Sequence, residues 1–215
     1  FSYPVPSVTI VEIMGRDAGW LTAGTKLASL SNNGPDLIYL PEVPFDIETF
    51  LKKVKHIYDK KGHALIAISE GIKDKEGKYI LTYRLFNNND DFGHLQLGGV
   101  GQVIAETINR ELKLPIRSIE LNIPQRCASH ISSLTDIEEA YNCGKKALQF
   151  ATLNHTGKMI AIKRISHNPY QITYEMVDLA NVANFVKKVP QNYITNDGCN
   201  ITKDFIEYAL PLIQK

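Results

Sequence analysis

The chain has 215 residues, 44% hydrophobic and 22% charged, proportions of an ordinary globular protein that exclude a disordered or low-complexity chain. Lys and Arg number 24 against 23 Asp and Glu, so there is no excess positive field for general nucleic-acid binding. No apolar run approaches the ~20 residues that span a bilayer, and Phe1-Ser2-Tyr3-Pro4 lacks a signal-peptide pattern, so a cytoplasmic protein with no membrane partner is expected.

In chain order, Val8 to Ile13 is a β-branched run ending at Gly15, and from Asp17 the residues Trp20, Leu21, Leu27 and Leu30 predict a helix, with Trp20 and Leu21 packed in the core. Asp36 to Leu40 reads as a second strand, and Asp46 caps a helix carrying Ile47, Phe50, Leu51, Val54 and Ile57 on one face. Ala64 to Ser69 is apolar throughout, as in a parallel strand covered on both faces. From Ile72 to Gly99 the pattern lapses into a charged turn, a strand around Tyr79 to Tyr83, and the Asn87 to Asp91 run, read together as an excursion from the core. A helix over Val103 to Leu112 and a strand over Arg117 to Leu121 follow. Thr135-Asp136-Ile137-Glu138 has capping-box spacing and opens a helix that stops near Gly157. Met159 to Ile165 and Tyr170 to Val177 predict paired strands turning at His167-Asn168-Pro169, and Lys203 to Leu212 a last helix. The alternation predicts an α/β fold: a mainly parallel sheet flanked by helices, with a β-rich insertion and a C-terminal extension. No repeat or Pro/Ser-rich linker divides residues 1–215, so no internal boundary is expected; the missing initiator Met suggests a processed product or a fragment.

In such folds ligands collect beyond the carboxyl ends of the strands. Met14-Gly15-Arg16-Asp17 offers a Gly for close backbone approach, an Arg for phosphate and a helix start, though an ordinary turn with a solvated Arg has the same composition. Glu70 ends the third strand as an acceptor for vicinal hydroxyls, or simply as a solvated strand end. Arg117 and Arg126, nine steps apart, would lie roughly 30 Å from each other if the chain were extended at ~3.3 Å per residue. Either the chain bends at Pro124, the two arginines serve different sites in a symmetric oligomer, or both face solvent. Gly98-Gly99-Val100-Gly101 lacks the rest of a phosphate-loop motif and reads as helix-entry geometry. Three cysteines (Cys127, Cys143, Cys199) and six histidines form no metal-ligand spacing, so they are expected to be structural and metal-free, Cys127 near His130 included.

In combination these segments resemble the phosphofructokinase family. Val11-Glu12-Ile13-Met14-Gly15-Arg16 with Gly19, Leu21 and Thr22 is similar to its Val-Glu-x-Met-Gly-Arg-x-x-Gly-x-Leu-Thr segment. Pro41-Glu42-Val43-Pro44-Phe45 matches its Pro-Glu-x-x-Phe turn, Ala67-Ile68-Ser69-Glu70-Gly71 its strand ending in a sugar-binding Glu, and Gln125 with Arg117 and Arg126 its Arg-x8-Arg spacing. The resemblance implies that Met14, Gly15 and Arg16 contact a sugar phosphate, Glu70 holds sugar hydroxyls, Arg126 binds the 6-phosphate of fructose 6-phosphate, and Arg117 reaches a neighbouring subunit's site in a homo-oligomer (dimer or tetramer). Ile123 replaces the family's ring-bearing phosphate ligand, and Ser7 falls where many ATP-using members carry a further Arg. These departures, with the excursion and the tail bearing Tyr170, Tyr193 and Tyr208, look more like the pyrophosphate-dependent branch.

The family's Gly-Gly-Asp-Ser/Thr-Pro-Gly donor loop and Thr-Ile-Asp-Asn-Asp segment do not occur in these residues. The resemblance therefore implies the C-terminal, acceptor-binding part of a glycolytic kinase, inactive alone and with no catalytic residue of its own. Pyrophosphate or ATP, and Mg2+, are expected to bind mainly through the absent N-terminal part. A non-catalytic sugar-phosphate-binding subunit is the alternative, and a generic α/β domain a third reading.

Overall fold

A computed structural model describes residues 6–83 and 99–214. These divide into two compact units: one comprises the chain up to Cys127 together with Lys188–Thr202, the other Ala128–Lys187 and the chain from Lys203 onward. The sequence suggested no boundary because the chain passes between the units three times, so no single linker has to carry the separation.

The first unit holds a four-stranded parallel sheet in the order β2-β3-β1-β4, built from β1 (Ser7–Ile13), β2 (Leu37–Tyr39), β3 (His63–Ser69) and β4 (Ile116–Glu120). The connection from β1 to β2 runs one way along the sheet, and those from β2 to β3 and from β3 to β4 run the other. Right-handed crossovers therefore place α1 (Trp20–Gly24) on one face and α2 (Ile47–Lys61) and α3 (Val100–Leu112) on the opposite face. The core follows: Val8, Ile10, Ile66 and Ile68 of the central strands pack with Phe50 and Val54 of α2 and Ile104 and Ile108 of α3. The central position of β3 explains its unbroken apolar run, since both of its faces are covered.

Asp46 caps α2 as expected, its carboxylate accepting from the Thr49 N–H at 2.9 Å. Other elements differ from the sequence reading. The first helix starts at Trp20 and passes after Gly24 into a 3₁₀ segment (Thr25–Ser31). Leu21 is 59% exposed, and Trp20, half-buried, meets Tyr193 edge-on at 6.4 Å. The strand expected around Tyr79 to Tyr83 is a single bridge between Lys73 and Tyr79 followed by a 3₁₀ turn (Ile80–Tyr83). The tight Asp74–Lys78 turn, closed by Asp74 N–H to Lys78 O at 2.9 Å, leaves little strand on either side to pair. Most of the excursion, with the Asn87 to Asp91 run and Gly98, lies outside the described residues.

In the second unit, α5 (Leu134–Thr152) packs against an antiparallel hairpin of β5 (Lys158–His167) and β6 (Tyr170–Asp178), followed by α6 (Lys203–Ala209). The paired strands and their turn were legible; the capping box was not formed. The N-cap of α5 is Ser133, two residues before the expected Thr135. Thr135 donates instead to the Pro211 carbonyl at 3.0 Å, and the Ser133 hydroxyl accepts from the Gln214 N–H at 3.2 Å. Both hydroxyls that could cap the helix are thus drawn to the C-terminal segment.

Candidate functional site

Opposite winding directions after β1 and β3 open a crevice between the carboxyl ends of these adjacent strands. Met14-Gly15-Arg16 leaves β1 there and Glu70-Gly71 leaves β3. The two turns are laced together: the Gly15 N–H donates to Glu70 Oε1 at 3.2 Å, the Gly71 N–H to the Gly15 carbonyl at 3.2 Å, and the Ser69 hydroxyl to the same carbonyl. The approach is too close for side chains. A Cβ on Gly71 would lie 1.8 Å from the Arg16 carbonyl oxygen, and one on Gly15 2.7 Å from Ser69 Oγ.

The third segment arrives from β4. After Glu120 the chain turns directly into a short helix, α4 (Asn122–Arg126), with Pro124 in its first turn, where no intrahelical N–H is required of it. Of the alternatives open for this segment, the chain does bend, beginning at Leu121, whose N–H donates to the Glu12 carbonyl at 3.0 Å. Gln125 on α4 accepts from the Met14 N–H through Oε1 at 2.9 Å. Met14, Gly15 and Glu70 are therefore joined by hydrogen bonds, Arg16 follows in the same turn, and Arg126 is next in sequence to the residue that touches Met14.

Arg117 is placed elsewhere. It pairs in register with Thr9, five residues before Met14, which puts it about 16 Å back along the strand direction at ~3.3 Å per residue. It is exposed on β4, an edge strand.

Glu12, at an inward position of β1, is a carboxylate only 4% exposed. It accepts from the N–H groups of Gly99 at 3.0 Å and Gly101 at 2.7 Å, the start of α3. Burial pushes its carboxyl above the usual range, the Glu120 and Glu70 charges add to the rise, and the two N–H bonds oppose it. Gly99 and Gly101 thus form a helix entry whose two N–H groups are engaged by Glu12, as the sequence suggested. Sequence reasoning missed Glu12 as an anchor; the available signal was a lone carboxylate within an apolar strand. It also missed Glu42, which accepts from the Gly19 N–H at 3.0 Å and the Val189 N–H at 2.8 Å, so that the Pro-Glu turn ties the loop after β1 to the returning segment 188–202.

Chemically, Arg16 and Arg126 supply planar donors suited to phosphate, and Glu70, engaged among the described residues by the Gly15 N–H, retains lone pairs for hydroxyls. Among the described residues no group of three or more His, Cys, Asp or Glu side chains is placed to hold a metal ion.

Residues 4–151 match the family model described as Phosphofructokinase. The chain is 38% identical over 208 residues to the pyrophosphate--fructose 6-phosphate 1-phosphotransferase of Halomonas elongata, covering 96% of this chain and 49% of that protein. The protein of the same name from Xanthomonas campestris pv. campestris gives the same identity and coverage. The crystal structure of the pyrophosphate-dependent phosphofructokinase from Nitrosospira multiformis superposes with a TM-score of 0.82 at 37% identity, over 99% of this chain and 49% of that one. The chain spans about half the length of the relatives it matches.

Proposed function

The chain belongs to the phosphofructokinase family, and we propose that it forms the fructose 6-phosphate-binding part of a pyrophosphate-dependent phosphofructokinase acting in glycolysis. In that enzyme the 1-hydroxyl of fructose 6-phosphate takes a phosphoryl group from pyrophosphate, giving fructose 1,6-bisphosphate. Met14, Gly15 and Arg16 line the sugar phosphate, Glu70 accepts from sugar hydroxyls, Arg126 binds the 6-phosphate, and Arg117 reaches into the site of a neighbouring copy. Donor and Mg2+ bind outside these 215 residues, and the enzyme works in the cytoplasm as a homo-oligomer. Pyrophosphate is favoured over ATP by the names of the relatives at 38% identity.

The observation that carries this reading is the lacing of three separate segments, through Gly15 to Glu70 and Met14 to Gln125, at one switch point of the sheet. Phosphoryl transfer rests on positioning and charge neutralisation, so an acceptor site must fix the sugar by its far phosphate before the 1-hydroxyl can be aligned. In the full enzyme, Arg126→Ala removes a charge-assisted contact of about 1.5–3 kcal/mol, raising KM for fructose 6-phosphate about ten- to a hundredfold. The KM for pyrophosphate stays near wild type. Steady-state kinetics with each substrate varied in turn tests this, and an unchanged KM for the sugar refutes the assignment.

A further inference from the structure

On the α2 side of the first unit, Asp36, Thr49, Lys53, His56, Asp197 and Cys199 line a cavity of about 440 Å³. It contains none of the residues of the crevice between β1 and β3. Three side chains meet at its wall. Lys53 Nζ lies 2.7 Å from Asp197 Oδ2 and 2.8 Å from Cys199 Sγ, and the thiol lies 2.8 Å from the same carboxylate oxygen. The separation of 2.8 Å is ordinary between nitrogen and oxygen, but it is short for a nitrogen donor facing the larger sulfur atom. It is close to the span of one bridging oxygen.

Both partners are fixed from behind. The Cys199 carbonyl accepts from the Ile38 N–H of β2 at 2.9 Å, and the loop around it is closed by Thr195, whose N–H donates to Asn200 O at 3.0 Å and whose hydroxyl donates to Asp197 Oδ1 at 2.7 Å. Lys53 rises from the middle of a fifteen-residue helix. Cys199 is only 4% exposed, so small oxidants entering the cavity have access that a bulky thiol lacks; all three cysteines are free. A second observation points to an added oxygen. The Tyr39 hydroxyl is buried with no hydrogen-bond partner among the described residues, and Cys199 and Asp197 are the charges that, after burial, most oppose its ionisation. It is a buried donor lacking an acceptor.

We propose that Lys53 and Cys199 form an oxygen-bridged covalent link, Nζ–O–Sγ, on exposure to peroxide, a reversible modification that ties the loop at 195–200 to α2. One hydrogen peroxide converts the thiol to a sulfenic acid: an S–O bond forms, the O–O bond breaks and water leaves. Once the Lys53 ammonium has released a proton to water, a second peroxide oxidises the amine to a hydroxylamine, again releasing water. The hydroxylamine oxygen then attacks the sulfenic sulfur and expels its hydroxyl group as a third water. Overall, thiol, amine and two peroxides give the bridge and three waters; four thiol equivalents reverse it, yielding thiol, amine, water and two disulfides.

The test exposes the full chain to hydrogen peroxide and reads tryptic peptides by mass spectrometry. The expected product joins the Lys53 and Cys199 peptides with a gain of one oxygen and a loss of two hydrogens, and dithiothreitol abolishes it. Lys53→Arg, which keeps a cation for Asp197, and Cys199→Ser each lose the joined peptide, with thermal unfolding confirming that both variants fold. A sulfenic or sulfinic acid at Cys199 with Lys53 unmodified overturns the proposal. So does a joined peptide lacking the oxygen, which signals a direct S–N bond, and so does an unreacted Cys199.

Discussion

Gly71 shows how a single hydrogen can decide the geometry of a site. Its backbone lies against that of Arg16, and an added methyl would meet the Arg16 carbonyl carbon at 2.4 Å as well as its oxygen at 1.8 Å. The obstacle is main chain on both sides, so no rotamer change relieves it. Gly71→Ala is expected to cost ~1–3 kcal/mol, typical of forced overpacking, and to displace the turn that carries Arg16. Chemical denaturation of the variant measures the first effect; stability equal to wild type would mean that the two turns separate freely. Glu70 and Gln125 act on the same turn from outside, each holding one backbone N–H of the Met14-Gly15 pair. Gln125 was visible in the sequence only as a neighbour of Arg126, because nothing in an amide side chain announces which remote N–H it will accept.

Among the elements, α2 was the most legible because its start signal is local. Asp46 bonds an N–H three residues ahead and is joined at 3.0 Å by Lys75. The Thr49 N–H, then its hydroxyl and Lys75, hold the Asp46 carboxyl well below the usual range, at about 2. A carboxyl depressed on folding contributes stability that is complete above its unfolded pKa, near 4, and disappears as pH falls through the folded value. Asp46→Ala therefore lowers the melting temperature at neutral pH. Asp46→Asn, itself a good cap, keeps most of it but loses the acid-limb decline between about pH 4 and pH 2 that this carboxylate gives the wild type. Melting curves across that range check both; parallel wild-type and Asn profiles would contradict the sign. The start of α5 was misread for the opposite reason. Thr135 and Ser133 are engaged by Pro211 and Gln214, residues some eighty positions away, and no local pattern reports such a partner. Strand order was legible only as a class, since alternation implies right-handed crossovers but leaves open which strand pairs with which.

At the scale of the whole molecule, the role proposed for Arg117 is a statement about how many chains make one site. Its register opposite Thr9 places it about 16 Å from the level of Met14, which supports the proposal that it serves the site of a second copy rather than the phosphate held by Arg126. It is exposed, on the edge strand β4. If each site takes Arg126 from one protomer and Arg117 from the next, full-length Arg117→Ala and Arg126→Ala enzymes each bind fructose 6-phosphate poorly. In a hybrid of the two, one site carries both defects and the other carries neither. For random exchange in a dimer, half of the assemblies are hybrids, and about a quarter of all sites regain both arginines. Mixing the inactive variants under subunit-exchange conditions should thus restore activity with a wild-type KM, at about a quarter of the wild-type rate. No recovery, with exchange verified by a tagged subunit, would show that both arginines act within one protomer and that the register opposite Thr9 changes in the assembled enzyme.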